Sequence, residues 1–243
     1  MVVIEIEVIH DFVCAWCYIA KRTLDRAISL YQKTVPGGRS DVFSIKYRPY
    51  YLDYNPHAHS VDKNELIDVR LRVMTPEQRT ALFNRMNQIG RSMGILFKAG
   101  GRIGSTKDAH RVIYYCQMSE SEKGADTATT NALVEKIFEA YHEREMDISD
   151  PDVLKELAAD AGVSGDEVNR WLDASPAAVD EEARRNKEEV KSGVPVYIIQ
   201  DEHRIDSSGD IAEHLEIFSK VKETDNVKDH STAAIYHGLS TAI

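Results

Sequence analysis

The chain has 243 residues, 42% of them hydrophobic, with 30 Lys and Arg against 40 Asp and Glu for a formal charge of −10. That length holds one large domain or two small ones, and the composition is that of an ordinary soluble globular protein. The acidic excess speaks against nucleic acid as the partner, because phosphate binding needs clustered Lys and Arg, and no apolar run is long enough to span a bilayer.

The opening stretch MVVIEIEVIHDF lacks a basic leader and carries Glu5 and Glu7, so Val2–His10 reads as a strand rather than a signal. The expectation is an intracellular, cytoplasmic protein whose thiols stay reduced. From about Trp16 to Gln32, Ile19, Leu24, Ala27, Ile28 and Tyr31 recur at helical spacing. VPGGRS is a loop, and DVFSIKYRPYYL alternates again as a second strand ending near Pro49. Strand, helix, strand is a βαβ unit, which implies parallel pairing and a right-handed crossover.

Helices then follow one another from about Asp62 to Lys191. TPEQ places Thr75 as a cap with Gln78 closing a capping box, and the helix stops at Gly94. Ser105 caps a helix over about Thr106–Gln117, and Leu133, Ile137, Ala140 and Tyr141 form one apolar face. Asp150 caps a helix stopped by Gly162, Ser164 pairs with Glu167, and a last helix of this block runs from Ser175–Pro176 to near Gly193. VPVYIIQ and HRIDSSG restore strand character, DIAEHLEIFSKV is a closing helix, and the sequence after Lys222 is a polar tail. The order is that of an α/β thioredoxin-like fold with a large all-helical insertion. Residues 1–60 and 176–222 form the thioredoxin-like part, 61–175 the insertion, and 223–243 the tail.

Two of the three cysteines, Cys14 and Cys17, lie three positions apart where the first strand gives way to the first helix. A cysteine at a helix start sits beside unpaired N–H groups and the positive end of the dipole, which favour a thiolate and lower its pKa from about 8.5. Cys17, one turn on, is placed to attack a mixed disulfide on Cys14; the first sulfur is then exposed and reactive and the second sheltered. That arrangement performs thiol–disulfide exchange. The competing readings are half a zinc site, though no second CxxC exists and His10 has no partner at ligand spacing, or two small apolar residues. Pro195, preceded by Val194, opens a strand where proline forfeits a ladder bond. A cis Val194–Pro195 bond would present the Val194 backbone to an extended ligand; a trans proline opening an edge strand is the plain alternative.

The segments DFVCAWCYIAKRTLDRAI, STKDAHRVIYYCQ, DISDPDVLKELAADAGV and GVPVYIIQDEHRIDSSGDIAEHLEIF together resemble the DsbA-like thioredoxin family. The branch is that of the FrnE-type dithiol-disulfide isomerases, with 2-hydroxychromene-2-carboxylate isomerases and kappa-class glutathione transferases further off. The resemblance implies Cys14 as nucleophile, Cys17 as resolving thiol, Pro195 as the cis-proline facing the first sulfur, and Val194 as the residue whose backbone pairs with bound peptide or glutathione. It implies a disulfide-bearing protein or glutathione as partner, no tightly bound cofactor, no metal, and glutathione as candidate co-substrate. A small-molecule substrate belongs to the alternative, a glutathione-dependent isomerase or transferase acting on a small aromatic or polyketide-like compound. Ala15–Trp16 stands where relatives of the branch often have Pro-Trp.

Trp16 is expected to pack beside the sulfurs and shape the substrate surface. Ser207, Ser208, Gly209 and Asp210 precede the last helix, where Ser208 and Gly209 are candidate contacts for a glutathione carboxylate; a simple helix cap is the competing reading. Lys21 reads as a solvated lysine, His10 either as a thiolate-stabilising or proton-shuttling residue or as an ordinary strand-end histidine, His110 as a packing or hydrogen-bonded residue, and Cys116 as a buried core thiol. Tyr50, Tyr51 and Tyr54 are placed at the lobe interface, chiefly for packing.

Overall fold

The computed structural model describes residues 1–124 and 126–238, with side chains described up to residue 225; the last five residues of the tail lie outside it. β1 (Val3–His10) alternates exposed and buried over its first half and is almost wholly buried thereafter. The helix α1 (Ala15–Thr34) returns the chain so that β2 (Val42–Pro49) pairs parallel with β1, from Val3 opposite Val42 to His10 opposite Pro49. This is the expected βαβ unit.

The insertion opens with β3 (Val61–Asp62), α2 (Lys63–Arg70), α3 (Pro76–Ser92) and β4 (Arg102–Ile103). It continues through α4 (Lys107–Glu122), α5 (Ala128–His142), α6 (Pro151–Asp160) and α7 (Gly165–Asp173). Both capping boxes, Thr75 with Gln78 and Ser164 with Glu167, are formed, and Asp150 caps α6 by accepting from the Asp152 N–H. Gly94 and Gly162 follow their helices at φ of 77° and 89°, a conformation that costs glycine least. Two details depart from the sequence reading. β3 and β4 form a two-residue antiparallel pair inside the block read as all helix, too short for any alternation to show. α4 begins one residue later than expected, with Thr106 at the cap position, although the Ser105 hydroxyl still accepts the Lys107 N–H.

α8 (Ala177–Glu189) ends four residues before Gly193, leaving Val190 to pack under the sheet, and β5 (Val196–Ile199) and β6 (His203–Ile205) complete it. The sheet order is β2-β1-β5-β6, with β5 antiparallel to both β1 and β6. α9 (Ile211–Gly238) closes the chain, and its backbone stays helical well past Lys222, where the polar tail was expected to start.

Ile4, Ile6 and Val8 share one sheet face with Ile45, Tyr47, Tyr197 and Ile199, in a core completed by α1 and α9. At one end of the other face, Ile9 and Val196 pack on Tyr50 and Val190. The free edge of β2 is blunted by Gln117 of α4, whose side-chain amide accepts from the Tyr47 N–H (2.6 Å) and donates to its carbonyl (3.1 Å), as a neighbouring strand would. Insertion and sheet meet in an aromatic cluster: Phe138 of α5 stacks on Tyr18 of α1 (5.2 Å between centroids, planes at 6°) and lies 5.0 Å from Phe12.

Candidate active site

β1 delivers the chain into a tight turn, in which the Cys14 N–H donates to the Asp11 carbonyl (3.1 Å). Cys14 keeps an extended backbone (φ −87°, ψ 111°) and is the N-cap of α1, while its carbonyl accepts the N–H groups of Cys17 and Tyr18. The expected helix-start thiol is therefore in place, with Cys17 one turn on. Pairing of β1 with β5 brings the other end of the chain to it: the Cys14 sulfur lies 3.7 Å from the Val194 carbonyl oxygen, across a separation of 180 residues. The Val194–Pro195 peptide bond is cis, and Pro195 directly precedes β5.

Both sulfurs are free thiols and both side chains are largely buried, Cys14 with 8% of its surface exposed and Cys17 with 2%. The expectation of an openly exposed Cys14 is corrected: Cys14 is recessed beneath the turn and the Val194 loop, and only the ranking of the two holds. Their titration separates them further. The Cys14 thiol is pulled below its usual range, first by the hydrogen bond it receives from the Cys17 thiol and then by the amides of Cys17 and Trp16. Burial and the Asp11 charge oppose this. The helix-start amides expected to dominate thus rank behind the second thiol. Cys17 is pushed well above its usual range by burial and by donating to Cys14. Of the two, Cys14 is the one whose thiolate is favoured.

Asp11, fully buried, accepts the Leu52 N–H (2.8 Å) and faces His110 Nε2 at 3.4 Å. Its negative charge raises both thiols. Replacing it with asparagine is expected to move the pH midpoint of Cys14 alkylation by iodoacetamide, already below 9, to a still lower pH, with Cys17 unmodified throughout. A midpoint that stays put or rises would contradict this electrostatic role.

Other expectations meet mixed fates. Trp16 lies in the first turn of α1 but is 36% exposed, offering an apolar surface beside the sulfurs rather than packing onto them. His10 is buried with both ring nitrogens unpartnered among the described residues, edge-on to Phe12 and Tyr47, and burial drives its pKa well down. It is an aromatic of the core, and the proton-shuttle reading fails. Lys21 is not solvated: it is buried and pairs with Asp25 at 2.5 Å. The cap reading holds for the turn before α9, where the Asp210 carboxylate accepts the Glu213 N–H (2.8 Å) and Ser207 accepts from Gly209. Gly209 has φ of 65°, and a side chain there would stand 2.5 Å from the His214 ring. Neither Ser208 nor Gly209 lines the cavities beside Val13, the neighbour of Cys14. Cys116 is buried in the core.

The tyrosines divide: Tyr50 packs on Ile9, the Tyr51 hydroxyl donates to Asp180, and Tyr54 lines both cavities. Lys63 and Arg70, which also line the larger cavity, carried no sequence signal; a lysine at a helix start in VDKNEL looks like any solvated one. Among the described residues, no group of three or more His, Cys, Asp and Glu is placed to hold a metal, and no helix is long and apolar enough to cross a membrane.

The fold has counterparts. A family model for the DSBA-like thioredoxin domain matches residues 5–219. No curated protein sequence matches the chain. Among solved structures, the probable DsbA oxidoreductase SCO1869 from Streptomyces coelicolor superposes with a TM-score of 0.69 at 21% identity, over 90% of each chain. A 2-hydroxychromene-2-carboxylate isomerase gives 0.56 at 15% identity, over 94% of this chain and 98% of the other. The cytosolic disulfide reductase DsbM from Pseudomonas aeruginosa, solved with GSH, gives 0.52 at 16% identity, over 93% and 99%. At such identities these likenesses establish the thioredoxin-like fold alone. The family model covers nearly the whole chain, and the protein belongs to the DSBA-like thioredoxin family.

Proposed function

We propose that the protein is a thiol–disulfide oxidoreductase or isomerase of the cytoplasm, working through Cys14 and Cys17 opposite the Val194–Pro195 loop. The observation that carries this is geometric: Cys14 and Cys17 lie one turn apart at the start of α1, and the Cys14 sulfur lies 3.7 Å from the Val194 carbonyl oxygen beside the cis Val194–Pro195 bond. In the first step the Cys14 thiolate attacks a disulfide, forming a mixed disulfide and releasing one thiolate. Cys17 then gives up its proton and attacks the Cys14 sulfur, forming the Cys14–Cys17 disulfide and releasing the second thiolate. The substrate gains two electrons and the protein loses two; a small thiol such as glutathione, as co-substrate, returns them. Stopped before Cys17 attacks, the same chemistry run on a protein substrate shuffles its disulfides.

The Val194 carbonyl beside the sulfur supports backbone pairing with an extended substrate, and exposed Trp16 supports an apolar contact next to it. Ser208 and Gly209 remain proposed contacts for a glutathione carboxylate, with no described contact to the sulfurs in their favour. In this reading residues 1–60 and 176–222 carry the redox site and 61–175 form an inserted domain roofing it. Titrating the reduced protein with glutathione disulfide tests the assignment. Peptide mass mapping is expected to find a Cys14–Cys17 disulfide and unmodified Cys116; glutathione on Cys116 with the pair untouched would refute it.

A further inference from the structure

Val13 and Ala15, the residues on either side of Cys14, both line one cavity of about 310 Å³, within the range of small-molecule sites. Its walls are apolar, with Leu66 of α2, Phe83 and Met86 of α3, and Phe97 just beyond. Among the described residues three cations also line it, Lys63, Arg70 and Lys98, and no Asp or Glu does, in a chain whose formal charge is −10. Tyr54, another wall residue, is raised first by burial and also by the Cys14 charge, so the cavity and the sulfur are electrostatic neighbours.

None of these cations is paired with a carboxylate among the described residues. Arg70 lies over the Tyr54 ring at 3.2 Å, and among the described residues neither it nor Lys98 forms an ion pair. Lys63 is the telling one. Only 7% exposed, its ammonium donates to the Tyr141 carbonyl (2.6 Å), sits 3.6 Å above the Tyr141 ring, and pairs with no carboxylate among the described residues. A buried ammonium without a counter-charge is costly, and burial brings its pKa down to about 8. The acids that act on it from a distance are engaged elsewhere. Glu145 accepts the Gly100 N–H, Asp147 binds Ser149, and Asp62 caps α2.

We propose that this cavity holds the apolar body of a small substrate and that Lys63, with Arg70 beside it, takes a carboxylate on that body. The site then selects small anionic, apolar disulfides over neutral ones, and over glutathione, whose ammonium and peptide groups would lose their water against Leu66 and Phe83. The exchange part of this rests on Cys14 being the nucleophile; the binding part does not. The step is attack of the Cys14 thiolate on an aryl disulfide, forming a Cys14–S–S–aryl bond and releasing one aryl thiolate.

Binding is tested first, by calorimetry on the full chain with Cys14→Ser, which removes the thiolate from the titration. 2-Naphthoate is expected to bind at least about tenfold tighter than 2-naphthalenemethanol, a charge-assisted hydrogen bond being worth that or more. The preference falls as pH rises through about 8, where Lys63 loses its proton. The groups facing Lys63 do not imitate this: burial holds His142 down near 3, burial raises Tyr141 and Tyr54, and the more distant Glu145, Asp147 and Asp62 act on Lys63 only by raising it. Lys63→Met abolishes the preference; Arg70→Gln, an exposed position, weakens it should the methionine variant fail to fold.

In the second arm the reduced protein meets bis(3-carboxy-4-nitrophenyl) disulfide or neutral 4,4′-dipyridyl disulfide. Lys63→Met slows the first at least about tenfold and the second less than about twofold. Equal binding of acid and alcohol, a preference flat across pH 8, or equal slowing of both disulfides would overturn the proposal. Exchange with neither disulfide, alongside intact naphthoate binding, would uphold the cavity and remove the redox reading instead.

Discussion

Cys14→Ser is expected to reduce disulfide exchange to the uncatalysed background, whereas Cys17→Ser is expected to react once and stop. The two sulfurs divide the labour that makes this so. Only Cys14 is held below its usual pKa, and only it lies against the Val194 carbonyl, so a hydroxyl there leaves no comparable nucleophile. Without Cys17 the mixed disulfide on Cys14 has no resolving thiol beside it and accumulates as a stable adduct, visible by intact mass. Cys17→Ser also replaces the donor that contributes most to lowering Cys14 with a shorter, less acidic hydroxyl, so the first attack at neutral pH slows as well. Full turnover by Cys17→Ser with glutathione would favour the alternative, a glutathione-dependent isomerase or transferase that uses only the first sulfur. Undiminished exchange by Cys14→Ser would end the assignment.

Phe138→Ala is expected to be the most damaging substitution away from the sulfurs, costing about 3–5 kcal/mol. Phe138 is 1% exposed and touches both halves of the molecule, stacked on Tyr18 of α1 and packed against Phe12 and His10 at the end of β1. Alanine would leave a void walled by rings that cannot close over it, and for a chain of this size the loss corresponds to a Tm fall of roughly 6–20 °C. Because Phe12 and Tyr18 bracket the turn that carries Cys14 and Cys17, faster alkylation of Cys17 is expected to accompany the loss. Chemical denaturation and peptide-mapped alkylation check the two effects; a cost under about 1 kcal/mol would show that the insertion is not anchored through this ring.

The fold was readable where local chemistry is decisive. Thr75, Asp150 and Ser164 announce their helices because a cap is a contact between near neighbours in sequence, and strand alternation marks β1 and β2 because one face of each is buried. The β3–β4 pair escaped because two residues carry no period, and α9 outran its expected end because a polar helix reads like a polar tail. At the candidate site, residue types and spacing singled out Cys14, Cys17 and Pro195, and the fold sets the Cys14 sulfur against the Val194 carbonyl beside the cis Val194–Pro195 bond. They did not disclose Asp11 as a buried charge beneath the thiols or Lys63 as an unpaired cation, since burial at either position is set by segments about 40 to 100 residues away, such as Leu52, His110 and Tyr141. Lys21 was misjudged for the same reason: Glu135, which completes its surroundings, comes from α5.

The 180-residue gap between Cys14 and Val194 has a consequence during synthesis. At about 5–20 residues per second, a ribosome needs roughly 9–36 s after making the first thiol to make the loop that shelters it. Throughout that time the nascent chain displays Cys14 and Cys17 with no roof, open to any oxidant or thiophilic ion nearby. The order of the gene, and not only the finished fold, sets how long this centre is vulnerable.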